Sequence, residues 1–236
     1  MRKKVKVKSF GSADPETIME VYDGASSTYD ETRLNTTHKR MIDETERDVV
    51  RRHLGGLAHV LEVGAGTGRL TNELVASCGQ VTAIDISEGM LSKLRQKIRA
   101  PNLIVRKSNL YDLPQLPGYG EFDGLLCMRV LPHLAGIEQA TGPLQLLKQA
   151  VKPGGILVFD MWNRHSYRHM KKDGSGVYNH YVSFAEVHRY LGQNGLKLVY
   201  QIGAGVANPW GLNLEFLGRT WFKRFAFTII SVCSRS

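Results

Sequence analysis

The stretch Leu61 to Leu70 reads LEVGAGTGRL, so Gly64, Gly66 and Gly68 alternate behind a short apolar run that carries one acid, Glu62. Losing the side chain at every second position lets a ligand lie directly against the backbone. Seventeen residues after Gly68, Asp85 closes a second apolar run, and a carboxylate there can accept two hydroxyl hydrogens at once. Asn109 follows a third run, His133 stands in Val130-Leu131-Pro132-His133-Leu134 after a fourth, and Asp160 ends a fifth. An imidazole takes up a proton near neutral pH, and a carboxylate beside it can orient the ring. A dinucleotide loop would read G-x-G-x-x-G with its pyrophosphate on a helix N-terminus. Here the spacing is G-x-G-x-G, and Arg69 stands where the third dinucleotide glycine would be.

These residues sit at the ends of alternating strand and helix signals. From Thr37 to Leu54, Met41, Ile42, Val49, Val50 and Leu54 fall on one helical face, with the charges on the other. Strands are predicted at His59–Val63, Val81–Ile86, Leu103–Lys107, Phe122–Cys127 and Ile156–Phe159. Helices are predicted over Gly68–Cys78, from Ser87 through Met90, Leu91, Leu94 and Ile98, and over Leu144–Val151 before Lys152-Pro153-Gly154-Gly155. Ser183 and Glu186 form a capping box for a helix ending near Gly195, and two late strands follow, 197–202 and 226–233. Strands alternating with helices imply a mostly parallel sheet covered on both faces, with ligands beyond the carboxyl ends of its strands.

With 236 residues and 42% hydrophobic content the chain can bury one sizeable core, and a single domain is expected. No apolar run reaches membrane-spanning length, and the basic start MRKKVKVKSFGSADP lacks the apolar segment of a secretory signal. Cys78, Cys127 and Cys233 lie far apart without metal-ligand spacing, which suggests reduced thiols, a cytoplasmic protein and no metal. Of the formal charge of +9, Arg2, Lys3, Lys4, Lys6 and Lys8 belong to the tail, so the body is only mildly basic. That tail is either a solvated arm or an electrostatic arm for RNA or anionic lipid.

LEVGAGTGRL, AIDISEGML, FDGLLCMRVLPHL and VKPGGILVFD, in this order and spacing, resemble the class I S-adenosylmethionine-dependent methyltransferases. Within them the chain is most similar to the small-molecule branch that includes quinone-biosynthesis and natural-product enzymes. The resemblance covers roughly residues 37–160. It implies a Rossmann-like α/β fold with a seven-stranded, mostly parallel sheet, an antiparallel last strand, helices on both faces and an N-terminal helical cap. One domain then spans 1–236: a basic tail (1–9), the cap (about 10–36), the cofactor-binding core (about 37–160) and an acceptor-side loop with C-terminal strands (about 161–236).

The resemblance also assigns roles. Gly64, Ala65, Gly66 and Gly68 would carry the methionyl part of S-adenosyl-L-methionine, with Glu62 orienting their loop. Asp85 would hold the ribose, Ile86 and Met90 the adenine, and Leu110 would also contact the cofactor. Asn109 stands where many relatives have Asp, bonding the adenine amino group. The backbone at Cys127 would receive the cofactor's amino group, and Tyr22, Tyr29 and Arg33 would close over its carboxylate. Relatives in this branch often show paired histidines after strand four. Pro132 replaces the first of them, so His133 is either the base or a residue packed against its loop. Asp160 either orients an imidazole, binds substrate or caps the following loop.

The run Cys127-Met128-Arg129-Val130 is not the Asn/Asp-Pro-Pro-Tyr/Phe motif of adenine-N6 or glutamine-N5 enzymes, and the Pro-Cys nucleophile of cytosine-C5 enzymes is missing. A small-molecule acceptor, methylated at O, N or C, is the leading expectation. An RNA methyltransferase and a non-catalytic cofactor-binding subunit are the alternatives. Aromatic and cationic residues in the 163–182 loop can enclose an acceptor, and TWFKRFAF, 220–227, offers a peripheral membrane contact or a plain entry into the last strand.

Overall fold

A computed structural model of the chain describes residues 14–134, 142–166, 179–206 and 226–236. The basic tail, most of the acceptor-side loop and most of TWFKRFAF lie outside the described residues.

The cap consists of α1 (Pro15–Ala25) and α2 (Tyr29–Arg33). Asp14 starts α1 by accepting the Thr17 N–H, with Pro15 in the first turn, where its missing N–H costs nothing. The core then alternates: α3 (Thr37–Leu54), β1 (His59–Val63), α4 (Thr71–Ser77), β2 (Gln80–Asp85), α5 (Glu88–Lys97), β3 (Leu103–Lys107), β4 (Phe122–Cys127), α6 (Pro143–Ala150) and β5 (Val151–Asn163). It ends with β6 (Tyr181–Val182), α7 (Phe184–Gln193), β7 (Leu196–Ala204) and β8 (Thr228–Arg235).

The sheet order is β3-β2-β1-β4-β5-β8-β7, with β6 pairing the end of β5. All pairs from β3 through β5 are parallel, while β8 runs antiparallel to both β5 and β7. The seven-stranded path with its antiparallel last strand is as expected; the two-residue β6 is an addition. Strand order reverses between β1 and β4, and that reversal opens a crevice at their carboxyl ends.

Side chains alternate across the sheet. Leu61, Leu125 and Leu157 pack on the face covered by α6 and α7, whereas Val60, Leu126 and Val158 pack on the face covered by α3 and α4. β5 starts earlier than expected because Lys152–Gly155 is a bulge within it. Phe122 pairs Val151, but Gly124 already pairs Ile156, and Gly154 turns at φ 78. The charged face of α3 also differs from expectation. Asp43 and Glu46 are buried, Glu46 completely.

The predicted capping box of α7 is present: Ser183 Oγ accepts the Glu186 N–H and the Glu186 carboxylate accepts the Ser183 N–H. Replacing a capping Ser by Ala typically costs about 1 kcal/mol. Ser183→Ala is therefore expected to lower unfolding free energy in urea by about that amount, leaving cofactor affinity unchanged.

Candidate active site

The glycine loop is tied to β2 by Gly64 and Ala65, whose N–H groups donate to Ile84 O at 2.8 and 3.0 Å. Two of its glycines are needed for different reasons. At Gly64, φ 78, a Cβ would stand 2.1 Å from Val130 Cγ2, so the loop after β4 occupies the side-chain position. At Gly66, φ 56, a Cβ would meet nothing within 4 Å, because the space beside it is the cavity. The cavity, of about 130 Å3, lies at the switch point under the cap.

Asp85, at the end of β2, lines this cavity and accepts the Gly66 N–H at 2.8 Å and the Ser87 N–H at 2.9 Å, one on each oxygen. A carboxylate has about four acceptor sites, so both oxygens retain capacity for a ligand. Burial pushes its carboxyl above the usual range, opposed by the N–H groups of Ser87, Gly66 and Ile86. Glu62 is 3% exposed and lines the cavity floor. Its Oε2 accepts the Thr71 hydroxyl at 2.6 Å, yet burial raises the carboxyl to about 7.

Three arginines converge on Glu46. Arg33 of the cap and Arg69 of the glycine loop donate to its Oε2 at 3.3 and 2.6 Å, and Arg129, after β4, bonds its Oε1. Burial alone would raise the Glu46 carboxyl, but Arg129, Arg69 and Arg33 together hold it at about 2. Arg69 also bonds Asp43. Among the described residues Arg129 is the one non-glycine with positive φ, 62. That backbone costs on the order of 1–3 kcal/mol, offset here by its N–H donating to Asp160 Oδ1 at 2.7 Å.

The cap is fastened at further points. Asp23 accepts from Ser87 Oγ and, at 3.0 Å, from the Gly89 N–H. Asp30 accepts from Thr67 Oγ1 at 2.6 Å and pairs with Lys97. Tyr22 Oη lies 3.1 Å from His133 Nε2, and burial pushes the Tyr22 phenol well above its usual range. The phenol is thus protonated and suited to donate to the imidazole.

Of the residues singled out from the sequence, Tyr22, Tyr29, Glu62, Gly64, Ala65, Gly66, Asp85, Ile86, Met90, Asn109, Leu110 and His133 line one cavity. Asn109 Oδ1 already accepts the Tyr111 N–H at 3.1 Å, starting a 3-10 turn over Leu110–Gln115. Four others lie outside the lining. Gly68 abuts α5, with a Cβ position 2.9 Å from Ile98 Cδ1. Arg33 turns to Glu46 and a neighbouring cavity. Cys127 is fully buried in β4 with its thiol pushed up by burial, and Met128 lines the cavity instead. Asp160, expected at the pocket's edge beside His133, is fully buried and accepts from the Arg129 N–H and, at 3.1 Å, from Thr228 Oγ1. Sequence reasoning missed Arg129, Arg69 and Glu46, because their pairing joins segments distant in the chain and leaves no periodic signal.

An open α/β sheet with its cavity at the switch point defines the Rossmann-like class. Residues 61–159 match the family model described as a methyltransferase domain. The chain is 27% identical over 143 residues to a putative methyltransferase, YqeM, of Bacillus subtilis (strain 168). That match takes in 60% of this chain and only 55% of the relative's length. It is 25% identical over 186 residues to a ubiquinone biosynthesis O-methyltransferase of Xanthomonas axonopodis pv. citri (strain 306), covering 73% of this chain and 76% of that protein. The solved DhpI–SAH complex superposes with a TM-score of 0.65 at 20% identity, over 94% of this chain and 97% of that one. In sequence over its core, and in fold over nearly its whole length, the chain is similar to S-adenosylmethionine-dependent methyltransferases.

The cavity suits that cofactor. It offers open space at Gly66, a carboxylate with free acceptor capacity at Asp85 and apolar walls at Ile86, Met90 and Leu110. No helix among the described residues is long and apolar enough to cross a membrane, and no group of metal-ligating side chains occurs among them.

Glu62 gives this site a pH signature. Its carboxyl titrates near 4.5 in the unfolded chain and near 7 when folded. The cost of ionising it inside the fold is thus absent below pH 4.5, grows as pH rises to 7 and is constant above. Glu62→Gln removes that cost. The variant's stability relative to the parent is expected to rise by about 3 kcal/mol between pH 4.5 and pH 8, read from urea melts at both. A difference independent of pH would contradict the burial argument.

Proposed function

We propose that the protein methylates a small-molecule acceptor seated beside His133, most simply at a hydroxyl group. The observation that carries this reading is that Asp85, after β2, and His133, after β4 and hydrogen-bonded to Tyr22 of the cap, line the same cavity. The ubiquinone biosynthesis O-methyltransferase relative supports a hydroxyl acceptor. The buried thiols of Cys78, Cys127 and Cys233 support a reducing, cytoplasmic setting.

In this reading the glycine loop and the backbone near Cys127 cradle the methionyl part of the cofactor, with Tyr22 and Tyr29 of the cap enclosing its carboxylate. Asp85 holds the ribose hydroxyls; Ile86, Met90 and Leu110 face the adenine, and Asn109 accepts its amino group on a remaining lone pair. Glu62 fixes the loop through Thr71. The cofactor supplies an electrophilic methyl group that needs no further activation, so the protein's work is alignment and exclusion of water. For a hydroxyl acceptor, the Tyr22–His133 pair moves the proton. Tyr22 Oη passes its proton to His133 Nε2 and takes the acceptor's in its place. Asp160 acts at one remove, by fixing the Arg129 backbone.

Incubation with methyl-labelled S-adenosylmethionine and a fractionated metabolite extract is expected to label a small molecule. Label entering RNA instead would overturn the small-molecule reading. With the acceptor in hand, His133→Ala is expected to lower turnover by about 10²–10⁴-fold while leaving cofactor affinity intact. Full activity of that variant on a hydroxyl acceptor would remove the histidine from the mechanism.

A further inference from the structure

Arg129 lines the cavity, as does His133 four residues later. Its guanidinium carbon lies 4.6 Å from the centroid of the Trp162 ring, which in turn stands edge-to-face with His133, ring centroids 6.2 Å apart. The group is braced by two fully buried carboxylates, Glu46 and Asp160. Even so, Nε is buried without a hydrogen-bond partner. Nη1 stands 3.0 Å from Asp160 Oδ2 as an ion pair that lacks hydrogen-bond geometry.

Arg33, Arg69 and Arg129 face an equal number of carboxylates, Glu46, Asp160 and Asp43. A buried N–H left unpaired is nevertheless costly, and an anionic group on a ligand would satisfy it. The cofactor carries a carboxylate of its own, but the placement of Arg129 favours the acceptor. Its partners Asp160 and Trp162 belong to β5, three strands along the sheet from β2, which carries Asp85.

We propose that Arg129 binds a carboxylate on the acceptor, so that the substrate class is a small carboxylic acid whose methylated group faces His133. This rests on the small-molecule reading above and narrows it. The residue's strained backbone and buried braces then serve to hold a cation rigidly at the acceptor end of the cavity.

The test uses benzoate and its neutral isostere benzamide as probes, titrated by calorimetry into the full chain saturated with S-adenosylhomocysteine. Benzoate is expected to bind at least tenfold more tightly than benzamide. Arg129→Met should abolish that preference, and Arg129→Lys should keep part of it. Affinity for S-adenosylhomocysteine, measured on each variant, reports any loosening that the loss of a Glu46 partner brings, and the benzoate-to-benzamide ratio is compared within each variant so that such loosening cancels. Absent benzoate binding, equal binding of both probes, or a preference that survives Arg129→Met would overturn the proposal. So would a loss of S-adenosylhomocysteine affinity in Arg129→Met that Arg129→Lys restores while the benzoate preference stays absent, which would assign the arginine to the cofactor's carboxylate. The small-molecule reading fails separately, on labelled extract, so the two failures are distinguishable.

Discussion

One buried carboxylate ties the active site together. Glu46, fully enclosed on α3, accepts from an arginine of the cap, one of the glycine loop and one of the segment after β4. Removing a carboxylate from water is expensive, and only close, oriented cations offset the cost. Three guanidiniums do so here, and the low value of about 2 for the Glu46 carboxyl follows from their proximity overcoming its burial. Breaking a buried pair typically costs about 3–5 kcal/mol, because the remaining charges stay behind unpaired. The arrangement thus fixes the mutual position of three segments that apolar packing alone would leave free to slide.

The cap depends on such contacts more than the core helices do. Ile18 is the one buried residue of α1, and α2 has none. Ile42, Val49, Val50 and Leu54 of α3, by contrast, pack into the sheet. What holds the cap is a set of directional bonds: Asp23 to Ser87 and Gly89, Asp30 to Thr67 and Lys97, Tyr22 to His133, Arg33 to Glu46. Two of them, to Thr67 and to His133, reach residues of the cavity wall itself. The seated cap thus completes the site, since it supplies the phenol that the imidazole meets.

Much of the frame was legible in the sequence. The bounds of α3, β1, β3 and β4 agree with their apolar runs; those of β1 and β4 are largely buried, and β3 pairs β2 at the sheet edge. Asp85 and Gly66 were legible for a different reason: a loop against a ligand restricts residue type so strongly that the restriction is visible in one chain. Asp43 and Glu46 were not legible, since helical periodicity assigns charged positions to solvent and cannot see partners at 69 and 129. Asp160 was read as facing the ligand because it ends a strand. Its true partner is an N–H turned toward it by the positive φ of Arg129, which no residue-type rule anticipates. The Tyr22–His133 contact spans 111 residues and is equally invisible to local pattern.

Amide hydrogen exchange on Glu46→Gln tests the central claim most directly, since it preserves shape while removing the charge that three segments share. Faster exchange is expected together in α1, α2 and residues 64–70, with β1, β4 and β5 keeping their protection. Unchanged exchange in the cap and glycine loop, or a loss spread evenly through the sheet, would contradict the view that this carboxylate couples the cap to the site.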